Sequence, residues 1–185
     1  MAGETVSSSG FYDAGPLRQL ATNLFYGWGY NFYRQENQLR ADDQTIRSKG
    51  ASLLGEAAAS VSAAESEHRR EYLPPPTRAK PFPDAEAVAS AQKLERLGKE
   101  IAAVEAMLQH QPVPENDRMT QRYRHEAPTL QKLMEHDERL VGQCELLRRA
   151  VSAQSAPAIL KSLASVEAGL DAIRETLRNR ELVLL

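Results

Sequence analysis

Glu65 and His68 stand three residues apart in "ESEHRRE", a spacing that sets a carboxylate and an imidazole on one helix face. Di-iron carboxylate bundles use two such pairs and two further glutamates. This chain offers one pair, so no metal site is expected. His125 and His136 are eleven residues apart, about three helical turns, too far to share an ion. Asp137 falls on an otherwise apolar heptad. It reads as a loosely packed edge facing water. The alternative is a paired, buried carboxylate that sets register, as polar seam residues do in coiled coils. Cys144 lies one heptad further and has no histidine at a neighbouring helical position. It reads as a small buried hydrophobe, not a nucleophile. The chain contains no glycine-rich phosphate loop, GxSxG, HExxH or dinucleotide fingerprint. No cofactor is expected, and the chain reads as non-catalytic. The alternative is a helical-bundle enzyme or cofactor-binding protein with a pocket between helices.

Those residues need helices to position them, and the sequence reads as all-α. Leu163, Leu170, Leu177 and Leu184 recur every seven residues, with Val166 and Ile173 between them and Arg180 breaking the second set. This is the seam of a bundle helix or of self-association. Ser155 and Pro157 make its start. A second seam is Leu94, Leu97, Ile101, Val104 and Leu108, with Asp84 as N-cap and Pro112 and Pro114 beyond its end. A third runs through Leu130, Leu133, Leu140, Leu147 and Val151. That helix starts near Asn116 or Asp117 and is kinked or divided at Pro128.

The predicted organisation is a structureless stretch over 1–15, a long or broken helix over 16–73, a proline-rich linker over 74–83, and a three-helix antiparallel bundle over 84–185. About three to four helices are expected in all. Gly27, Gly29 and Gly50 mark where the first helix could break. Its middle is thinly apolar.

Composition excludes some functions. The net charge is −2, with no basic patch, so nucleic acid is not an expected partner. One cysteine precludes an intrachain disulfide, and no apolar run is long enough to span a membrane. A cytoplasmic protein is expected, with peripheral membrane contact left open.

The aromatic residues are segregated. Eight of eleven lie between Phe11 and Tyr33, densest in "FYGWGYNFYR". On a continuous helix, Phe25, Trp28 and Phe32 share one side while Tyr26, Tyr30 and Tyr33 share another. These six residues are the expected docking surface for a protein partner, because aromatic side chains dominate interface energetics. The alternatives are that the chain covers them itself, or that a second copy does.

Overall fold

A computed structural model describes residues 8–30, 32, 39–78, 81–111 and 127–184. Tyr33, His125 and the helix start expected at Asn116 or Asp117 lie outside the described residues, as do the side chains of Leu39, Leu130 and Leu184.

The fold is all-α, and the described residues contain six α-helices where about three to four were expected. A 3-10 turn, Ser8–Phe11, leads into α1 (Ala14–Trp28). Then follow α2 (Leu39–Tyr72), α3 (Ala85–Gln109), α4 (Ala127–Val151), α5 (Ala156–Lys161) and α6 (Leu163–Leu184).

Local chemistry accounts for most of the ends. The Asp84 carboxylate accepts from the Ala87 N–H at 3.2 Å, which satisfies one of the donors a helix start leaves open. Gly29 ends α1 in the left-handed region, φ 74°, where a side chain is disfavoured. The first predicted helix is therefore broken at Gly29, whereas Gly50 lies inside an uninterrupted α2. The predicted C-terminal helix is also divided. The Ser162 hydroxyl donates back to the Ala158 and Ile159 carbonyls at 3.2 Å each and separates α5 from α6. Pro128 lies in the first turn of α4, where its missing N–H costs little.

Side-chain contacts define the packing. Gly50 lies against Leu108, Val61 against Gly98, and His68 against Ala87, so α2 and α3 run antiparallel. Glu56 reaches Arg148 at 3.6 Å, and Asp43 shares Arg180 with Asp137, so α2 and α4 run in the same direction. The short connection through residues 152–162 returns the chain, and α6 lies antiparallel to α4. The four long helices thus alternate in direction, with α1 laid along α4.

The core is mainly aliphatic. Leu94, Leu97, Ile101, Val104 and Leu108 of α3 belong to one core with Leu133, Leu140, Leu147 and Val151 of α4 and Leu170 and Leu177 of α6. Helix α2 belongs to the same core, through Ile46, Leu53, Leu54, Ala57, Val61 and Ala64. The described helices within 84–185 thus share one core with α2. Alanine buries little area, yet it lets α3 come close.

Residues 8–15, the described part of the stretch expected to be structureless, depart from that expectation. Phe11 is fully buried, its carbonyl accepts from Gln143 Nε2 at 3.0 Å, and α1 begins at Ala14. Two glycines make room for this. A Cβ on Gly169 would stand 2.5 Å from the Phe11 ring, and one on Gly142 would stand 2.6 Å from the Leu17 carbonyl oxygen.

Two glycine substitutions should therefore act in opposite directions. Gly142→Ala collides with backbone that cannot swing aside, and should lower stability by about 1–3 kcal/mol. Gly27→Ala meets nothing within 4 Å inside a helix, and should raise it by about 0.5–1 kcal/mol. Urea unfolding midpoints read both.

Candidate functional site

The densest polar chemistry is inside the bundle. Arg180 occupies a seam position of α6, seven residues beyond Ile173. It is 0% exposed, as is Asp137 on the facing seam of α4. Arg180 Nε donates to Asp137 Oδ1 at 2.6 Å, and Nη2 donates to Asp43 Oδ1 on α2 at 2.8 Å. The second oxygen of Asp43 accepts from Arg47 Nε at 2.9 Å and Nη2 at 2.8 Å. The second oxygen of Asp137 accepts from the Tyr30 hydroxyl at 3.0 Å. Two carboxylates and two guanidiniums balance, and each bond is charge-assisted. The edge-facing reading of Asp137 is corrected: it is interior and paired.

Three long helices and the aromatic segment meet at this set. Arg180, Asp137, Asp43 and Tyr30 are all sealed from solvent. A substrate cannot reach them in this conformation, so the arrangement acts as a clamp.

The aromatic residues divide in a way that a continuous helix does not predict. Phe25 and Tyr30 are buried, and their rings stack with centroids 4.3 Å apart. Phe32 is half-buried and meets Tyr30 edge-on at 4.9 Å, while Trp28 lies 6.3 Å from Phe25. Tyr26 is 86% exposed. The grouping of Tyr30 with Tyr26 fails because Gly29 ends the helix and turns Tyr30 inward. As expected contacts for a partner, Phe25 and Tyr30 are covered by their own chain.

The other candidates are also placed. Glu65 pairs with Arg69, and His68 turns away from it. The His68 Nε2 donates to the Ala87 carbonyl at 3.1 Å, a role that requires the Nε2-protonated tautomer, and its ring lies 4.9 Å from that of Tyr72. The ExxH pair therefore does not converge. No group of three metal-ligating side chains forms among the described residues. Burial pushes the Cys144 thiol up to about 12, which leaves it without thiolate character. Burial, with Arg139 adding to it, pushes His136 below the ordinary imidazole value. Leu170 and Leu177 are core residues and Leu163 packs against them, so that seam is used within the bundle.

A surface pocket of about 800 Å³ opens at the proline turn between α2 and α3. Tyr72, Phe82 and the flanking prolines line it, with Arg69 and Asp84 at its margin. In the sequence this stretch reads as a spacer. Its signal was Phe82, the one aromatic between prolines, which is 85% exposed.

Two predictions follow from the charges. Arg180→Ala leaves two buried carboxylates without their shared cation and should cost about 3–5 kcal/mol, read as a lowered denaturation midpoint. Glu138 acts in the opposite sense. Burial pushes its carboxyl above the ordinary value, and Arg18, 3.3 Å away, offsets only part of that. A carboxyl raised in the folded state stabilises below its unfolded value, and the contribution is lost as pH rises through the folded one. Glu138→Gln should therefore be more stable than the native chain at pH 7. The two should converge below about pH 4, near the unfolded carboxyl value.

No protein-family model matches this chain, and no curated protein or solved structure is significantly similar to it.

Proposed function

We propose that this chain is a non-catalytic helical accessory or adaptor protein that docks a protein partner through the outer side of its aromatic segment, with Tyr26 at the centre. The observation behind this reading is the environment of Tyr26. Its ring stands in solvent, while its neighbour Phe25 is locked in the core and Leu17 and Ala21 pin the same helix to the bundle. An aromatic on a rigid support contributes area at low entropic cost, the usual anatomy of an interface anchor. Neutral polar groups rim it, with Gln19 hydrogen-bonded to Asn23 at 3.3 Å.

Competing readings have less support. Arg18 and Arg34 are the nearby cations, Arg18 is engaged by Glu138, and no lysine cluster flanks the segment, so an anionic lipid surface has little to attract it. No described helix is long and apolar enough to cross a membrane. The C-terminal seam is used internally, which favours a different protein over a second copy. A cytoplasmic setting fits one buried thiol with no second cysteine to pair with, and belongs to this proposal.

A photo-crosslinking residue at position 26 tests the reading in extracts of the cells that make the protein. Position 96, exposed on α3, is the control. A discrete adduct at 26 is expected, absent at 96, and competed by native protein but not by Tyr26→Ala. The substitution should leave stability within about 0.5 kcal/mol, as surface changes do. Adducts of twice the chain mass would assign the surface to self-association. Equal labelling at both positions would end the proposal.

A further inference from the structure

Helix α2 ends on carbonyls that the following residues cannot serve. The Leu73 N–H donates to the Arg69 carbonyl at 2.9 Å and closes the last helical bond. Pro74, Pro75 and Pro76 come next, and proline has no N–H. The carbonyls of Arg70, Glu71 and Tyr72 therefore have no donor four residues on. They stand at the negative end of the helix dipole. The arginines of that last turn are already engaged. Arg69 is held between Glu65 and Glu95, the latter at 3.0 Å, and Arg70 faces Glu67 at 3.8 Å.

This helix end forms one wall of the pocket of about 800 Å³ at the proline turn. The start of α3 forms another, through Asp84 and Val88. The Asp84 carboxylate spends Oδ2 on the Ala87 N–H, and its Oδ1 makes no hydrogen bond. Tyr72 and Phe82, both exposed, bring two aromatic faces to the same space. The Tyr72 ring rests on His68, while Phe82 meets no described ring. Prolines supply most of the remaining lining, an apolar surface without donors. The pocket is of the size that takes a small molecule.

We propose that this pocket is a binding site for a small alkylammonium ion, a protonated amine on a hydrocarbon chain. Asp84 and the last carbonyls of α2 accept from its N–H groups. The faces of Tyr72 and Phe82 attract its charge, and the prolines cover its hydrocarbon. An anion would meet a carboxylate and the negative end of a helix. A neutral apolar molecule would leave the same acceptors without a donor. The site lies at the turn between α2 and α3 and is independent of the docking reading at Tyr26.

Titration of the full chain with hexylammonium chloride, followed by amide nuclear magnetic resonance, tests the site. The Leu73, Phe82 and Asp84 amides should shift and saturate at roughly millimolar ligand. Hexanol, which matches the chain and lacks the charge, should bind at least about fivefold more weakly. Hexyltrimethylammonium keeps the charge and lacks N–H donors, and should bind about threefold more weakly or worse. Asp84→Asn should weaken hexylammonium on the order of tenfold. Phe82→Leu, which keeps an apolar side chain and removes the ring, should weaken it about threefold and leave hexanol unchanged. Both variants should fold, because asparagine caps a helix as aspartate does and Phe82 is exposed. Hexanol binding as tightly as hexylammonium would make the pocket a plain apolar crevice and overturn the proposal. Shifts that rise without saturating would do the same, as would native affinity in both variants. Equal affinity for hexyltrimethylammonium would also overturn it, since the carbonyls and Asp84 would then have accepted nothing.

Discussion

A guanidinium taken fully out of water costs several kcal/mol unless its donors find acceptors of opposite charge, and Arg180 has been taken out completely. Its two acceptors come from different helices, Asp137 on α4 and Asp43 on α2. The rest of the bundle must then be arranged so that both carboxylates reach one side chain. Arg47 neutralises the second oxygen of Asp43, which prevents a net negative charge from accumulating there. Replacing such a set with hydrocarbon is often neutral for stability. What the set supplies here is register.

The leucine seams alone leave register open. Leu163, Leu170 and Leu177 look alike to Leu133, Leu140 and Leu147, and a slide of one heptad would still place leucine against leucine. The same slide would set Asp137 beside Ile173 and leave Arg180 without its partner in the core. Breaking a buried pair costs about 3–5 kcal/mol, a large part of a typical domain's total stability. One heptad alignment is thus favoured strongly over its neighbours. The close approaches at Gly142 and Gly169 add a steric version of the same selection, because only one alignment brings a missing Cβ under Leu17 or Phe11.

How much of this was legible depended on range. The α3 seam, its Asp84 cap and the break at Gly29 follow from rules that act within a few residues, and these are visible in the chain. The division at Ser162 is equally local but carries no breaker residue, since a serine hydroxyl bonding back to the previous turn resembles any other helical serine. The share of α2 in the core was under-read because alanines contribute packing through proximity rather than area. Asp137 and Arg180 were each noticed as an interruption of a seam, yet were read singly. Counting outward by sevens from Val151 and Val166, the seam residues that flank the connection, reaches Cys144 and Ile173, then Asp137 and Arg180. The pairing was therefore present in the spacing. Asp43 was not recoverable that way, because the 12-residue stretch 73–84 between α2 and α3 does not set a heptad count across it.

The aromatic segment inherits its position from the same set of charges. Phe25 would pack on many apolar surfaces, but the Tyr30 hydroxyl needs one acceptor in a largely apolar interior, and a buried hydroxyl without a partner is costly. Asp137 can serve only where Arg180 already holds it in place, which requires α4 and α6 to be correctly aligned. A misregistered bundle offers Tyr30 no such oxygen. Packing of the N-terminal segment is thereby conditional on correct assembly of helices that lie more than a hundred residues further along the chain. The helix that carries Tyr26 is then held by Tyr30 only on a bundle that has already found its register.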